Sequence, residues 1–439
     1  MKNKTLLFGL LLTGAFSLSA CTNFVFTYNV PRYPGDVKTS TSKQEGDSGT
    51  TDEEDVGSID KSKNYNIKIW CAPTIETLTK SQVNNFIREH DYKINLTVDA
   101  VGEDSAATHM LEDVSNGADL FVFAQDQLNR LKTAGALAAV SGNQLNKIKA
   151  ENSNESVDAA TLNSKVYAYP FTSDNGYFLM YDKTVVKPEH VGRIEDIIAD
   201  CVAANKNINY NIFGSGFYTA SYFMATGCSN LWMINSKNAF YKYEDNYNSE
   251  KGMIACKAIR QIAQYPIFSN GDDPTKLGKK LGACVTGMWN YSVAKDAIGD
   301  NLGCAKMPTF TVDGQDYNIG SYSGYKLLGV KPQEDTNKVR LCKLIARYLS
   351  GQDCQEERFN SVEWGPTNNV VSALDKVKQQ PGLKALEEQK PYAHPQTACP
   401  SGWFDAVQAL ATGIKANSTD ADLQKQLTQY VANIDDLVE

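Results

Sequence analysis

Residues 66–134 alternate between two hydrophobic periods, and that alternation limits the fold more than any other feature of the chain. Asn66-Ile67-Lys68-Ile69-Trp70-Cys71 reads as a strand. Residues 79–91 follow as a helix with Val83, Phe86 and Ile87 on one face. Residues 94–98 alternate as a second strand, and 106–115 read as helix. Leu120-Phe121-Val122-Phe123 is a short apolar run of the kind buried on both faces of a parallel sheet. Residues 128–134 turn helical again, and Gly135 ends them. Strands and helices repeating at this spacing need crossover connections, so an α/β layer is expected. Further strands are expected at 177–181, 283–289 and 325–330, and further helices at 194–204, 218–226 and 249–264. The last third is mainly helical, at 337–349, 403–415 and 420–436.

The chain has 439 residues. Single cores stop growing near roughly 250–300 residues, so two or three lobes are expected. Lys2 and Lys4 precede an apolar run over 6–16 that leads into Leu18-Ser19-Ala20-Cys21. The run is far below the ~20 residues of a spanning helix. It resembles a bacterial lipoprotein signal, which implies a signal peptide over 1–20 and a lipidated Cys21 at the head of the mature chain. Residues 21–63 are rich in Ser, Thr, Gly and acid, including Asp52-Glu53-Glu54-Asp55, and are expected to form a disordered tether. The expected location is the outer face of the cell membrane, held by lipid.

The net charge of −8 argues against nucleic acid as a partner. Nine cysteines follow Cys21, widely spaced and without C-x-x-C. They read as small buried thiols, with one or two bridges left open. The sequence carries no G-x-x-x-x-G-K-[ST], G-x-S-x-G, H-E-x-x-H or EF-hand loop. Its four histidines have no ligand spacing. Neither a metal nor a cofactor is expected, and catalysis is not. The 22 Tyr, 17 Phe and 5 Trp exceed what a core needs and suit a ligand groove.

Four segments carry the functional reading. Gly117-Ala118-Asp119-Leu120-Phe121-Val122-Phe123-Ala124-Gln125-Asp126 ends a strand and opens a polar loop. Strand carboxyl ends are where α/β sheets bind ligands. Tyr169-Pro170-Phe171-Thr172-Ser173-Asp174-Asn175-Gly176-Tyr177 is an extended stretch before an apolar strand. Gly282-Ala283-Cys284-Val285-Thr286-Gly287-Met288-Trp289-Asn290 ends a strand on an aromatic. Pro400-Ser401-Gly402-Trp403-Phe404-Asp405 opens a helix with two.

In order and spacing these segments resemble the solute-binding proteins of ATP-driven sugar importers, of the maltose/maltodextrin-binding type. The resemblance runs from Tyr65 to Glu439. It implies a two-lobed, periplasmic-binding-protein-like α/β fold of type II, with lobes joined by hinge crossings near 172–176 and 319–324. One lobe would take 64–172 and about 324–364, the other 173–323 and about 365–439. It implies an oligosaccharide ligand and an ABC permease as partners of a monomer. By similarity Phe123 stands at a stacking platform, Asp126 at a hydroxyl-binding carboxylate and Asp174 at a hinge carboxylate. Trp289 matches a principal sugar platform, Trp403 or Phe404 another, and Phe217 with Tyr218 a further aromatic, while Glu76 lies in a loop that contacts ligand. Gln127 replaces an arginine that often follows the carboxylate.

Plainer roles suit the same residues. Asp126 is also a good N-cap, Asp174 beside Asn175-Gly176 also a turn residue, and Trp289, Phe217 and Tyr218 also core aromatics. A receptor for another solute, or a surface glycoside hydrolase using Asp126 and Asp174 as its carboxylate pair, are the alternatives.

Overall fold

The computed structural model describes residues 57–235, 239–400, 402–416 and 419–438. The signal, Cys21 and the expected tether as far as residue 56 lie outside the described residues. Residues 58–63, expected as tether, are bonded to the folded body instead. The Ser58 carbonyl accepts from Arg340, Asp60 N–H donates to Asn337, and Lys63 pairs with Asp335.

Two five-stranded sheets organise the rest. The first contains β1 (Asn64–Cys71), β2 (Lys93–Ala100), β3 (Leu120–Ala124), β4 (Ala168–Thr172) and, from far along the chain, β10 (Lys326–Val330). Its order is β2-β1-β3-β10-β4. The second contains β5 (Tyr177–Asp182), β6 (Asn207–Asn209), β7 (Phe268–Ser269), β8 (Leu281–Gly287) and β9 (Leu302–Ala305), in the order β7-β6-β8-β5-β9. Burial follows position. β3, β10, β5 and β8 are covered on both faces, so nearly every residue is buried. Edge strand β2 alternates exposed and half-buried residues along most of its length. Helices flank each sheet. One apolar core fills the first lobe and continues along one face of the second sheet, through Phe178, Met180, Leu281 and Cys284, and the other core covers the opposite face of that sheet. This is the two-lobed α/β architecture expected.

Each sheet holds one odd strand. β10 runs antiparallel to β3 and β4, and β5 antiparallel to β8 and β9. Both odd strands enter straight from a crossing between lobes: β4 leads to β5 through 173–176, and the short strand Ser321–Ser323 leads to β10. The carboxyl ends of the like-running strands and the first residues of β5 and β10 therefore meet at the same place, the junction of the lobes.

The chain stays with the first lobe beyond residue 364. Thr367 Oγ1 donates to Asn152 Oδ1 (2.8 Å), and Thr367 N–H to Gln355 Oε1 (2.8 Å). By the helix Pro381–Gln389 it has joined the second lobe, where Gln389 bonds Met307 N–H and the Ile319 carbonyl. Lys376 still bonds Glu356 and Asn360, so the third crossing lies between 376 and 381. Cys71, Cys201, Cys228, Cys256, Cys284, Cys304, Cys342, Cys354 and Cys399 are all free thiols, and all but Cys304 are buried.

Candidate functional site

Asp174 fastens the first crossing to the first lobe, and the backbone of Asn175 joins it to the second crossing. Its Oδ1 accepts from Thr172 Oγ1 (2.7 Å) and its Oδ2 from the Gly365 N–H (2.8 Å). Ser173 N–H donates to the Gly365 carbonyl (2.9 Å), and Asn175 N–H to the Gly324 carbonyl (3.2 Å). Beneath lies Arg358, whose guanidinium sits 3.6 Å from the centre of the Phe171 ring and donates to the Phe171 and Leu349 carbonyls. Burial pulls its pKa down to about 10, against the charges of Cys354 and Asp174. Both oxygens of Asp174 are engaged within the protein, so this carboxylate fastens the hinge.

On the first-lobe side, Asp126 follows β3 in the short 3-10 turn Gln125–Gln127. The next helix, Leu128–Thr133, has Gln127 at its N-cap, so Asp126 does not cap it. Asp126 is 5 % exposed. Its Oδ2 accepts from the Gln127 amide, and its Oδ1 is buried without a partner. Burial pushes its pKa up to about 7. Next to it, Gln125 accepts from Tyr325 N–H (2.9 Å) and donates to the Gln396 carbonyl (2.8 Å), tying the loop to the second crossing. Glu76, half-buried, opens the helix Glu76–His90 beyond the carboxyl end of β1.

Phe123 departs from the expectation of a stacking platform. It is 0 % exposed, and its ring lies against Phe121 at 5.5 Å. Side chains two apart share one face of a strand, and here that face is the core. A Cβ on neighbouring Gly329 would stand 3.0 Å from the Phe123 ring, so the aromatic fills space the glycine leaves. No ring face reaches the junction.

The second lobe presents an aromatic wall. Phe217, near the start of the helix Gly216–Ala225, stacks on Tyr322 at 5.1 Å and meets Phe404 at 6.2 Å. Phe217 and Phe404 are half-buried. Their neighbours are not open to a ligand. Tyr218 is buried, with its hydroxyl donating to Asp272 (2.9 Å), and Trp403 is buried, with Nε1 donating to Tyr430 Oη (3.0 Å). Of the pair 403/404, Phe404 is the ring with exposed surface.

Trp289 sits in the turn just after β8 and packs against apolar side chains of both cores. Its ring folds back over Gly287, where a Cβ would stand 2.1 Å from Cζ3. Facing it is Lys326, the first residue of β10. Lys326 Nζ lies 5.7 Å from the centre of the Trp289 ring, 3.8 Å from that of Trp364 and 3.7 Å from Glu103 Oε1. Lys326 and Trp364 are 2 % and 1 % exposed. Lys326 Nζ, Glu103 Oε1 and Trp364 Nε1 are all buried without a hydrogen-bond partner. Native interiors pair nearly every such atom. Four unsatisfied groups around one junction, Asp126 Oδ1 included, describe a place built to hydrogen-bond something else.

Sequence reasoning did not single out Glu103, Lys326 or Trp364. The signals were faint: a lone cation opening the apolar run Leu327-Leu328-Gly329-Val330, and a rare Trp before Gly365-Pro366.

Known proteins share this fold. The family model described as "Bacterial extracellular solute-binding protein" matches residues 81–385. A galactooligosaccharide-binding protein from Bacillus subtilis (strain 168) is 19 % identical over 368 residues, covering 80 % of this chain and 85 % of the relative. Among solved structures, a maltodextrin-binding protein from L. casei BL23 without ligand superposes with TM-score 0.69 at 21 % identity, over 84 % of this chain and 98 % of that one. A Thermus thermophilus maltotriose-binding protein bound with maltotriose gives 0.67 at 18 % identity, over 84 % and 99 %.

Proposed function

The chain belongs to the bacterial extracellular solute-binding family, and from that premise we propose that it captures a maltodextrin-like oligosaccharide between its lobes. The observation that carries the reading is Trp289 at the lobe junction, an indole facing the buried Lys326 Nζ, which has no hydrogen-bond partner and lies beside Glu103 and Trp364. A pyranose has apolar C–H faces and a rim of hydroxyls. The faces suit Trp289, Phe217 and Phe404, and the hydroxyls suit Asp126, Glu103, Lys326 and Trp364 Nε1. The solutes named for the similar proteins, galactooligosaccharide and maltotriose, are of this chemistry.

Capture proceeds by bending at the crossings, the hinge closure by which two lobes sequester a ligand. Asp174 keeps the crossings registered during that motion. With both Asp174 oxygens committed to the hinge, Asp174 is not free to serve beside Asp126 as the second carboxylate of a glycoside hydrolase. The closed, loaded monomer then delivers the sugar to the permease of an ABC importer. Cys21 carries the lipid that holds the protein on the outer face of the membrane, and the acidic run Asp52–Asp55 lies within its spacer.

The test is calorimetry of the purified protein against malto- and galacto-oligosaccharides, with chromatography of the sugar afterwards. One site per chain and intact ligand are expected. Silence toward every glycan refutes the reading, as does recovery of shortened sugar.

A further inference from the structure

We propose that Glu103 and Lys326 form a charge-balanced pair that makes the cleft select an uncharged sugar. This rests on the sugar reading above and adds which groups enforce neutrality. β2 and β10 are separated in the sheet by β1 and β3. Strands lie about 4.8 Å apart, so the loop carrying Glu103 must fold over the carboxyl ends of β1 and β3 to meet Lys326. The pair therefore spans the ligand-facing end of the first sheet, with Trp289 opposite on the other lobe.

Its geometry is wrong for a purely structural ion pair. Such a pair persists in a protein interior when its remaining protons and lone pairs are hydrogen-bonded. Here Nζ and Oε1 stand 3.7 Å apart, near enough to attract and too far to hydrogen-bond, and neither atom has any other partner. The Glu103 side chain is 12 % exposed and that of Lys326 3 %. Nζ rests instead on the faces of Trp364 and Trp289. Two sugar hydroxyls supply what is missing. One accepts from Nζ and the other donates to Oε1, while the ring they belong to lies on Trp289.

The pair also sets the charge a ligand can carry. A carboxylate on the sugar meets Glu103, and an ammonium meets Lys326. Either brings a net charge into a buried place, where the penalty is severe. An uncharged ligand preserves the balance. Removing the Glu103 charge leaves Lys326 alone and turns the cleft toward acidic sugars.

The probes are maltotriose and its counterpart oxidised to a uronate at one C6, titrated by calorimetry into the intact protein and its variants. The wild type is expected to prefer maltotriose. Glu103→Gln weakens maltotriose at least tenfold and shifts the maltotriose-to-uronate affinity ratio at least tenfold toward the uronate. Lys326→Gln weakens maltotriose without that shift. The double variant, which strands no charge, guards against a single variant that fails to fold, and it too loses at least tenfold for maltotriose. Wild-type affinity in the double variant, or a ratio in Glu103→Gln within twofold of wild type, overturns the proposal while leaving the sugar reading intact. A wild type that binds neither probe overturns both.

Discussion

Replacing Asp126 by asparagine should make the ligand-free protein more stable at alkaline pH and leave it nearly unchanged under acid conditions. The carboxyl is buried, one oxygen has no hydrogen-bond partner, and the other accepts from the Gln127 amide, with Arg130 and Gln396 offsetting part of the burial. Burial raises its pKa from the ordinary 3.8 to about 7. The folded value lies above the unfolded one. Between about pH 4 and pH 7 the folded protein therefore holds a proton that the unfolded chain has released, so stability falls as pH rises through that window and levels off above it. A rise of about three pH units, at about 1.4 kcal/mol each, sets a ceiling of about 4 kcal/mol on the cost of the ionised group. Relaxation around the charge brings the expectation to about 2 to 4 kcal/mol. Asparagine keeps the shape and has no charge to desolvate. His394, held by burial below its usual 6.5, gives a slope of opposite sign in acid, but it is present in both proteins and cancels in their difference. Urea unfolding followed by tryptophan fluorescence at about pH 3.5 and about pH 8.5 measures the effect. A variant that is less stable than wild type at pH 8.5, or that differs by the same amount at both pH values, refutes the reasoning.

Four further outcomes are expected. Trp289→Ala should cost about 2 kcal/mol or more of oligosaccharide affinity, as for a buried aromatic anchor, with the circular dichroism spectrum retained; an unchanged dissociation constant removes Trp289 from the site. Gly287→Ala places a Cβ 2.1 Å from the Trp289 ring, and the forced shift, about 1 to 3 kcal/mol of overpacking, should lower affinity at least tenfold; wild-type binding shows that the ring position does not matter. Asp174→Ala strands the Gly365 N–H and Thr172 hydroxyl in the hinge and should destabilise by about 2 to 4 kcal/mol, read as a lower urea midpoint; a loss under about 0.5 kcal/mol contradicts the clamp. Burial pushes the thiol pKa up to about 11 at Cys71 and about 12 at Cys201, Cys304 and Cys354, so Ellman's reagent at pH 8 should find fewer than one fast thiol natively and all nine described thiols in denaturant; two or more fast native thiols count against it.

The strand and helix plan was largely legible. Residues 66–134 alternate because a buried strand and an amphipathic helix need different periods, and those periods are local. The helix expected over 79–91 forms as Glu76–His90, and the strand over 177–181 as Tyr177–Asp182. Less legible were the hairpin Asn230–Ile234 with Phe240–Asp245 and the helix Gln352–Val362, whose mean hydropathy sets no clear apolar face. At the candidate site, Trp289 follows a strand, Phe404 lies at a helix start, and both keep exposed surface. Phe123 and Trp403 do not, although the same kind of context pointed to them. Whether an aromatic faces ligand or core turns on one step of strand alternation or about 100° of helix rotation, which a single chain's pattern of apolar residues leaves undetermined.

Local patterning alone thus established an α/β chain and the course of its main strands and helices, while the two lobes and an aromatic-rich groove were expected from the resemblance. Only the folded molecule decided that both oxygens of Asp174 are taken up by Thr172 and Gly365 and that Glu103, Lys326, Trp289 and Trp364 share one place. Those four are contributed by the loop after β2, the start of β10, the turn after β8 and a loop after residue 362. Hydrophobic periodicity records which face of an element is buried. It carries no record of which distant elements are buried against each other, and that pairing is what leaves polar atoms unsatisfied and ready for a ligand.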